Sequence, residues 1–144
     1  MGGIGTRIIT FEQKPSREIF KPIEESENRN PEDQSSFIKA TIVINFDSDT
    51  SYSKLFKLEE NLTVFDILLL TKETGDIDVS YTYWEQFDGS YFIESITYNN
   101  YRYEGDDNHF WALYINDISA TEAANKIYVN DNDIIKWEFT EFLK

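Results

Sequence analysis

Nine of the 23 aromatic residues in this 144-residue chain fall within 23 consecutive positions: Tyr81, Tyr83, Trp84, Phe87, Tyr91, Phe92, Tyr98, Tyr101 and Tyr103. An aromatic face on a rigid sheet can stack a flat ligand, a sugar ring or a partner peptide, and the same rings can fill a core. Alternation along a strand puts Tyr81 and Tyr83 on one face and Trp84 on the other. Tyr98, Tyr101 and Tyr103 fall in or beside a polar stretch, 99–108, that reads as a loop. Burial is least expected there, so these three rings are the ones expected to meet a ligand.

His109 is the single imidazole of the chain and follows Asp106, Asp107 and Asn108. Asp-Asp-x-His offers two ligand types to a divalent metal, or an axial nitrogen to a corrinoid cobalt. A solvated acidic loop is the competing reading, and no metal site is assigned. Asp47-x-Asp49 and Asp131-x-Asp133 have calcium-like spacing but lack the glycine and distal glutamate of an EF-hand loop. Asp133 is expected to support the turn into the last strand. Catalysis has little material. There is no Cys for a thiol nucleophile or thiolate zinc site, and no nucleophile elbow, Walker loop or zinc signature. A glycosidase would need two carboxylates across a cleft, which a small single-sheet domain hardly provides. The protein is not expected to be an enzyme.

Charge narrows the partners further. The chain carries 27 Asp and Glu against 13 Lys and Arg, a net charge of -14. Phosphate backbones and anionic lipid surfaces require clustered Lys and Arg, so nucleic acid is not expected as a partner. No run of about 18 apolar residues exists to insert into a membrane. A small-molecule ligand or a protein remains, and the oligomeric state stays open.

The elements that must position these residues can be read in outline. Residues 12–36 hold all three prolines and only three large apolar side chains (Ile19, Phe20 and Ile23), so residues 1–36 read as a flexible segment or linker. Within it, 7–11 could add to a sheet edge as an extra strand. Residues 1–11 lack the apolar centre of a secretory signal. From 37 to 144 the pattern is that of one folded domain. Ile38, Ala40, Ile42, Ile44 and Phe46 alternate as a half-buried strand, and 53–59 return as its hairpin partner. Thr63 with Asp66 forms an approximate capping box for a helix burying Val64, Ile67, Leu68 and Thr71, with Gly75 as its stop. Residues 77–84, 91–98, 109–116 and the final IIKWEFTEF read as strands, while 119–126 read as a helical turn or short loop. The expected class is α+β, a β-grasp-like mixed sheet packed on a single main helix in β-β-α-β-β-β-β order.

Three stretches in order carry a resemblance: Thr63-Val64-Phe65-Asp66-Ile67-Leu68, then Phe110 to Asp117 (FWALYIND), then Tyr128 to Phe139 (YVNDNDIIKWEF). Together they resemble the DUF4430 family, the β-grasp module similar to the C-terminal domain of transcobalamin and intrinsic factor. That family shows a T-V-x-D-x-L helix start, a W-x-x-Y-x-N-G strand and a G-D-x-I-x-W-x-Y/F last strand. Here Asp117 and Asn132 stand where the family has glycine, and both are residue types that tolerate positive φ, so the turns should survive. A side chain in place of glycine is expected to narrow a ligand's approach at these turns.

The resemblance implies a ligand-binding module. In the vitamin carriers this module supplies half of a corrinoid site, which makes cobalamin, a tetrapyrrole, the cofactor to consider. It also implies an extracellular or cell-surface setting. The residues offered for ligand contact are Tyr98, Tyr101, Tyr103, Trp111, Tyr114 and Asn116, the last three from the family motif, where Asn116-Asp117 most simply makes a hairpin turn. The alternative function is a protein-interaction or surface scaffold that uses a sheet edge and the N-terminal segment.

Overall fold

The structure, a computed structural model, describes residues 37–142. The expectations placed on 1–36, a flexible linker and an added strand at 7–11, lie outside the described residues. Strand β1 (Phe37–Asn45) follows the expected alternation, with Ile38, Ala40, Ile42 and Ile44 all buried. Asp47 closes the next turn by accepting from the Asp49 N–H at 2.8 Å. The chain then returns as β2 (Ser51–Glu59), antiparallel to β1.

Helix α1 (Val64–Glu73) begins with the capping box read from the sequence. Thr63 Oγ1 accepts from the Asp66 N–H at 3.2 Å, and the Asp66 carboxylate accepts from the Thr63 N–H at 2.8 Å. Two of the helix's orphan amide donors are thereby satisfied. Val64, Ile67, Leu68 and Thr71 are buried as one face, and Gly75, at φ 89°, takes the left-handed conformation that ends the run.

β3 (Asp78–Trp84) and β4 (Ser90–Tyr98) pair through a short 3-10 turn (Glu85–Phe87). The stretch read as a loop over 99–108 needs correction. It contains a strand, β5 (Tyr101–Glu104), paired antiparallel with the end of β4. Asn99 and Asn100 stand at φ 54° and 66°. Two consecutive left-handed residues make the two-residue turn whose twist matches a hairpin, and Tyr-Arg-Tyr-Glu continues beyond it as a strand.

β6 (His109–Ile115), the two-residue β7 (Ile118–Ser119) and β8 (Asp133–Glu141) complete the strands. Residues 119–126 contain a single 3-10 turn, Ala124–Lys126. Asp117 and Asn132 do adopt positive φ, 69° and 70°, so both turns tolerate the loss of glycine.

One sheet has the order β2-β1-β8-β6-β7, with β1 parallel to β8 and the other pairs antiparallel. The second sheet is β3-β4-β5. The fold is α+β and β-grasp-like with one main helix, as expected. Two short strands are added to the expected order, and three strands separate into a sheet of their own. Both sheets and the helix share one core, in which Ile42, Ile44, Ile67, Leu68, Ile96 and Ile135 are fully buried. Burying each such side chain contributes about 2 kcal/mol.

Candidate functional site

The register of β6 on β8 places Trp111 opposite Phe139 and Leu113 opposite Trp137. The odd-numbered residues of β6 therefore share the inner face with Ile135, Trp137 and Phe139. Phe46, just past β1, extends that face toward the second sheet. Its ring stacks on Tyr98 at 5.1 Å and 7°, tilts against Tyr103 at 4.6 Å, and meets Trp111 edge-on at 5.8 Å. Phe139 contacts Trp111 at 5.0 Å and carries the His109 ring parallel to its own at 5.0 Å. One aromatic cluster thus joins the two sheets. The Trp111 indole N–H strengthens the junction by donating to the Tyr103 carbonyl at 3.0 Å.

At the open end of this cluster lies a recess of about 480 Å³, walled by Tyr101, Tyr103, His109 and Phe139. Tyr101 and Tyr103, two apart on β5, share a face, with ring centroids 4.6 Å apart. Tyr101 is 62% exposed, whereas Tyr103 is half-buried. Burial first, and then the nearby Asp47 carboxylate, raise the Tyr103 hydroxyl above the ordinary phenol range, so it stays protonated. Asp47, Glu104, Asp106 and Glu141 make the polar lining acidic, with Arg102 the single Lys or Arg among the described lining residues.

Asp106 fixes the position of His109. Its Oδ1 accepts from the backbone N–H groups of Asn108 and His109 at 2.7 and 2.9 Å and lies 3.2 Å from His109 Nδ1. The Asn108 amide first, then the His109 side chain, hold this carboxyl below the usual range. With the proton on Nδ1, directed at Asp106, His109 keeps its lone pair on Nε2. That is the arrangement in which a carboxylate orients an imidazole for a ligand.

Of the six residues expected from sequence, four come together: Tyr98, Tyr101, Tyr103 and Trp111. Tyr98 and Tyr103 are strand residues half-buried against Phe46, not open loop residues, which corrects the expectation of low burial. Tyr114 and Asn116 lie away from this cluster. Tyr114 is on the other face of β6, where the Lys136 ammonium sits 5.1 Å from its ring centre. Asn116, at φ 52°, directs its amide to β8: Oδ1 accepts from the Ile134 N–H at 2.8 Å and Nδ2 donates to Asp133 at 2.8 Å. Sequence reasoning assigned no ligand role to Phe46 or Phe139. Both continue a period-2 apolar face by one step, and that signal places them beside Trp111.

The acidic pairs have local partners. Asp131 Oδ1 accepts from the Lys39 N–H at 2.9 Å, and Asp133 Oδ2 accepts from the Asn130 N–H at 2.7 Å, supporting the turn into β8 as expected. Among the described residues no group of three or more His, Asp or Glu side chains is arranged to hold a metal ion. Nor is any helix among them long and apolar enough to cross a membrane. Trp84 points away from Tyr81 and Tyr83, as alternation requires, and packs with Phe87 and Phe92 at 5.8 and 6.3 Å.

Fold and recess together define a small β-grasp-like domain with an open aromatic recess. The chain belongs to the DUF4430 family, described as a domain of unknown function, which matches residues 61–141. The fold is similar to that of haptocorrin in complex with Cbi, with a TM-score of 0.60 and 13% identity, covering 75% of this chain and 26% of haptocorrin. The chain thus spans about a quarter of haptocorrin's length. A Ruminococcus gnavus protein to which metal binding is attributed is similar too, with a TM-score of 0.52 and 15% identity over 74% of this chain and 99% of that one. At these identities the likeness is one of fold. No curated protein matches the chain in sequence.

Proposed function

We propose that this domain is a non-catalytic binding module that takes one face of a flat, ring-bearing ligand in the Tyr101–Tyr103–His109–Phe139 recess. A corrinoid such as cobalamin is the ligand class favoured by the DUF4430 relationship and by the likeness to haptocorrin. The observation that carries the reading is the recess itself, about 480 Å³ and walled by four aromatic side chains (Phe46, Tyr101, Tyr103 and Phe139) and one imidazole. Enclosing pockets for drug-sized ligands run from about 300 to 1,000 Å³. An open recess at the lower end of that range covers part of a corrinoid, which agrees with a module that contributes one side of a shared site. The residues fit such a group: stacking surfaces from Tyr101 and Tyr103, and a nitrogen donor on His109 held by Asp106. Bound there, the cofactor would supply its own ring chemistry, while the protein holds and orients it. The same relationship supports an extracellular or cell-surface setting for the module.

Titrating the full chain with cyanocobalamin, and in parallel with heme, tests this reading through tryptophan fluorescence and calorimetry. The expected result is saturable one-to-one binding with quenching of Trp111 beneath the recess. Absence of saturable binding to either tetrapyrrole would overturn the corrinoid assignment.

A further inference from the structure

β6 is paired along one side over its whole length and along the other only near its end. Against β8 the bonded residues are the even-numbered ones: the Asn116 N–H donates to the Ile134 carbonyl at 2.8 Å, and the Phe142 N–H donates to the Asn108 carbonyl at 2.8 Å, in one register. In an antiparallel ladder the intervening residues turn both backbone groups to the opposite side. At Leu113 and Ile115 that side is met by the β7 region, and the Leu113 carbonyl accepts from the Ala120 N–H at 2.9 Å. At His109 it is met by Asp106, whose backbone N–H donates to the His109 carbonyl at 3.0 Å and whose carboxylate accepts from the His109 N–H at 2.9 Å. Trp111 lies between these two closures. Among the described residues, nothing pairs with its outward N–H and carbonyl.

Beside this open edge runs a second groove, of about 860 Å³, with residues 90–94 of β4 along its far wall. β5 leaves most of that stretch uncovered, because it pairs with residues 95–98 only. There the Tyr91 N–H is met by the Asn125 side chain at 3.1 Å, not by a strand. An extended strand rises about 3.4 Å per residue and lies about 4.8 Å from its neighbour, so a groove of this volume holds roughly five residues. Along the edge from 109 to 113, only Trp111 among the described residues has both outward backbone groups free, between the closures at His109 and Leu113.

Other exposed edges carry protection that β6 lacks. β2 presents Lys54 and Lys57, β5 is four residues long, and the β3–β4 pair is interrupted by an irregularity at Ser80/Tyr81. Lysines, short strands and bulges all oppose unwanted pairing. The sequence of β6, HFWALYI, has none of the three. Trp137, which borders the groove, also carries the one buried side-chain nitrogen without a hydrogen-bond partner among the described residues.

Charge selects the occupant. Glu94, Glu104, Asp106 and Glu122 line the groove, and among the described residues no Lys or Arg does. A second copy of this chain, at net charge -14, would bring the same acidic edge and be repelled. We infer that the β4–β6 groove accepts an extended basic segment of another protein, added as a strand to the Trp111 edge of β6 with its apolar side chains toward Phe92 and Phe110. The groove adjoins the tyrosine recess, sharing Glu104, Asp106 and His109 with it, while Tyr101 lines the recess and not the groove.

The test uses the full chain and a short blocked peptide of alternating lysine and valine, followed by calorimetry and by hydrogen exchange at the Trp111 amide. The lysine–valine peptide should bind and slow exchange at Trp111. Methylating alternate amide nitrogens of the peptide keeps its charge but removes strand pairing, and should weaken binding about tenfold or more. Glu94→Gln combined with Glu122→Gln, two exposed positions, should weaken binding about fivefold. Equal binding of the methylated peptide would reduce the interaction to bulk charge attraction and overturn the inference. So would no binding at all, or Trp111 protection that appears without peptide as a concentration-dependent dimer forms. Tyr101→Ala should leave peptide affinity unchanged, which separates failure here from failure of the tyrosine recess.

Discussion

Asn116 and Asp133, 17 residues apart in sequence, are joined by a 2.8 Å hydrogen bond from the Asn116 amide to a carboxylate that is only 7% exposed. The same amide accepts from the Ile134 N–H, and the same carboxylate accepts from the Asn130 N–H. The β6–β7 turn is thereby locked to the start of β8. Asn116→Ala removes two bonds, leaves a buried acceptor short of a donor, and puts alanine at φ 52°. The expected loss is about 2–3 kcal/mol in urea unfolding, with the affinity of the recess for its ligand unchanged. A loss of affinity with full stability would instead make Asn116 a contact residue.

Tyr103 and Trp111 should behave as supports of the recess as well as parts of it. Tyr103→Ala strips a ring from Phe46, Tyr101 and Phe139, and should cost about 2 kcal/mol. Trp111→Phe keeps most of the ring but leaves the Tyr103 carbonyl without its indole donor, at a cost of about 1–2 kcal/mol. Thermal unfolding of both variants checks these values. Neither variant alone is a clean probe of binding.

Alkaline stability should be governed in part by Tyr52. Its hydroxyl donates to Asp76 at 2.6 Å, and burial first, with that bond next, pushes its pKa up to about 12. The unfolded value is near 10. The folded chain therefore keeps a proton that the unfolded chain releases. The resulting stability is complete below about pH 10 and disappears as the pH rises toward 12. Urea midpoints measured across that window should fall for the wild type. In Tyr52→Phe this part of the fall should be absent, with about 1 kcal/mol already lost at neutral pH. An unchanged alkaline profile in the variant would contradict the assignment.

The helix start offers a simpler check. Thr63→Ala removes the Oγ1 acceptor for the Asp66 N–H and half of the capping box. About 1 kcal/mol of stability should go with it. Thr63→Ser, which keeps the hydroxyl, should restore most of that.

What the sequence revealed was local and periodic. The β1 alternation, the capping box and the inward face of Ile135, Trp137 and Phe139 are all set by spacing along one element. Turn chemistry was legible where it was used: Asp117 and Asn132 take the positive φ expected of them. It was overlooked at Asn99-Asn100, where two residues tolerant of left-handed backbone between tyrosines signal a tight hairpin. Without that hairpin β5 looks like loop, and Tyr98 and Tyr103 look open. The split into two sheets, and the closeness of Phe46 to Trp111, depend on pairings between distant segments that no local pattern encodes. The free edge at Trp111 was equally hidden, because it follows from where β7 stops.

The central claim is that the tyrosine recess is the ligand surface, and Tyr101 tests it most directly. Its side chain is largely exposed, so Tyr101→Ala should leave thermal stability within about 0.5 kcal/mol of wild type. Calorimetric titration of both proteins with cyanocobalamin should show one-to-one binding by the wild type and about tenfold or weaker binding by the variant, since aromatic stacking contributes on the order of 1 kcal/mol or more. Equal affinity in the two proteins, or no saturable heat in either, would contradict the account.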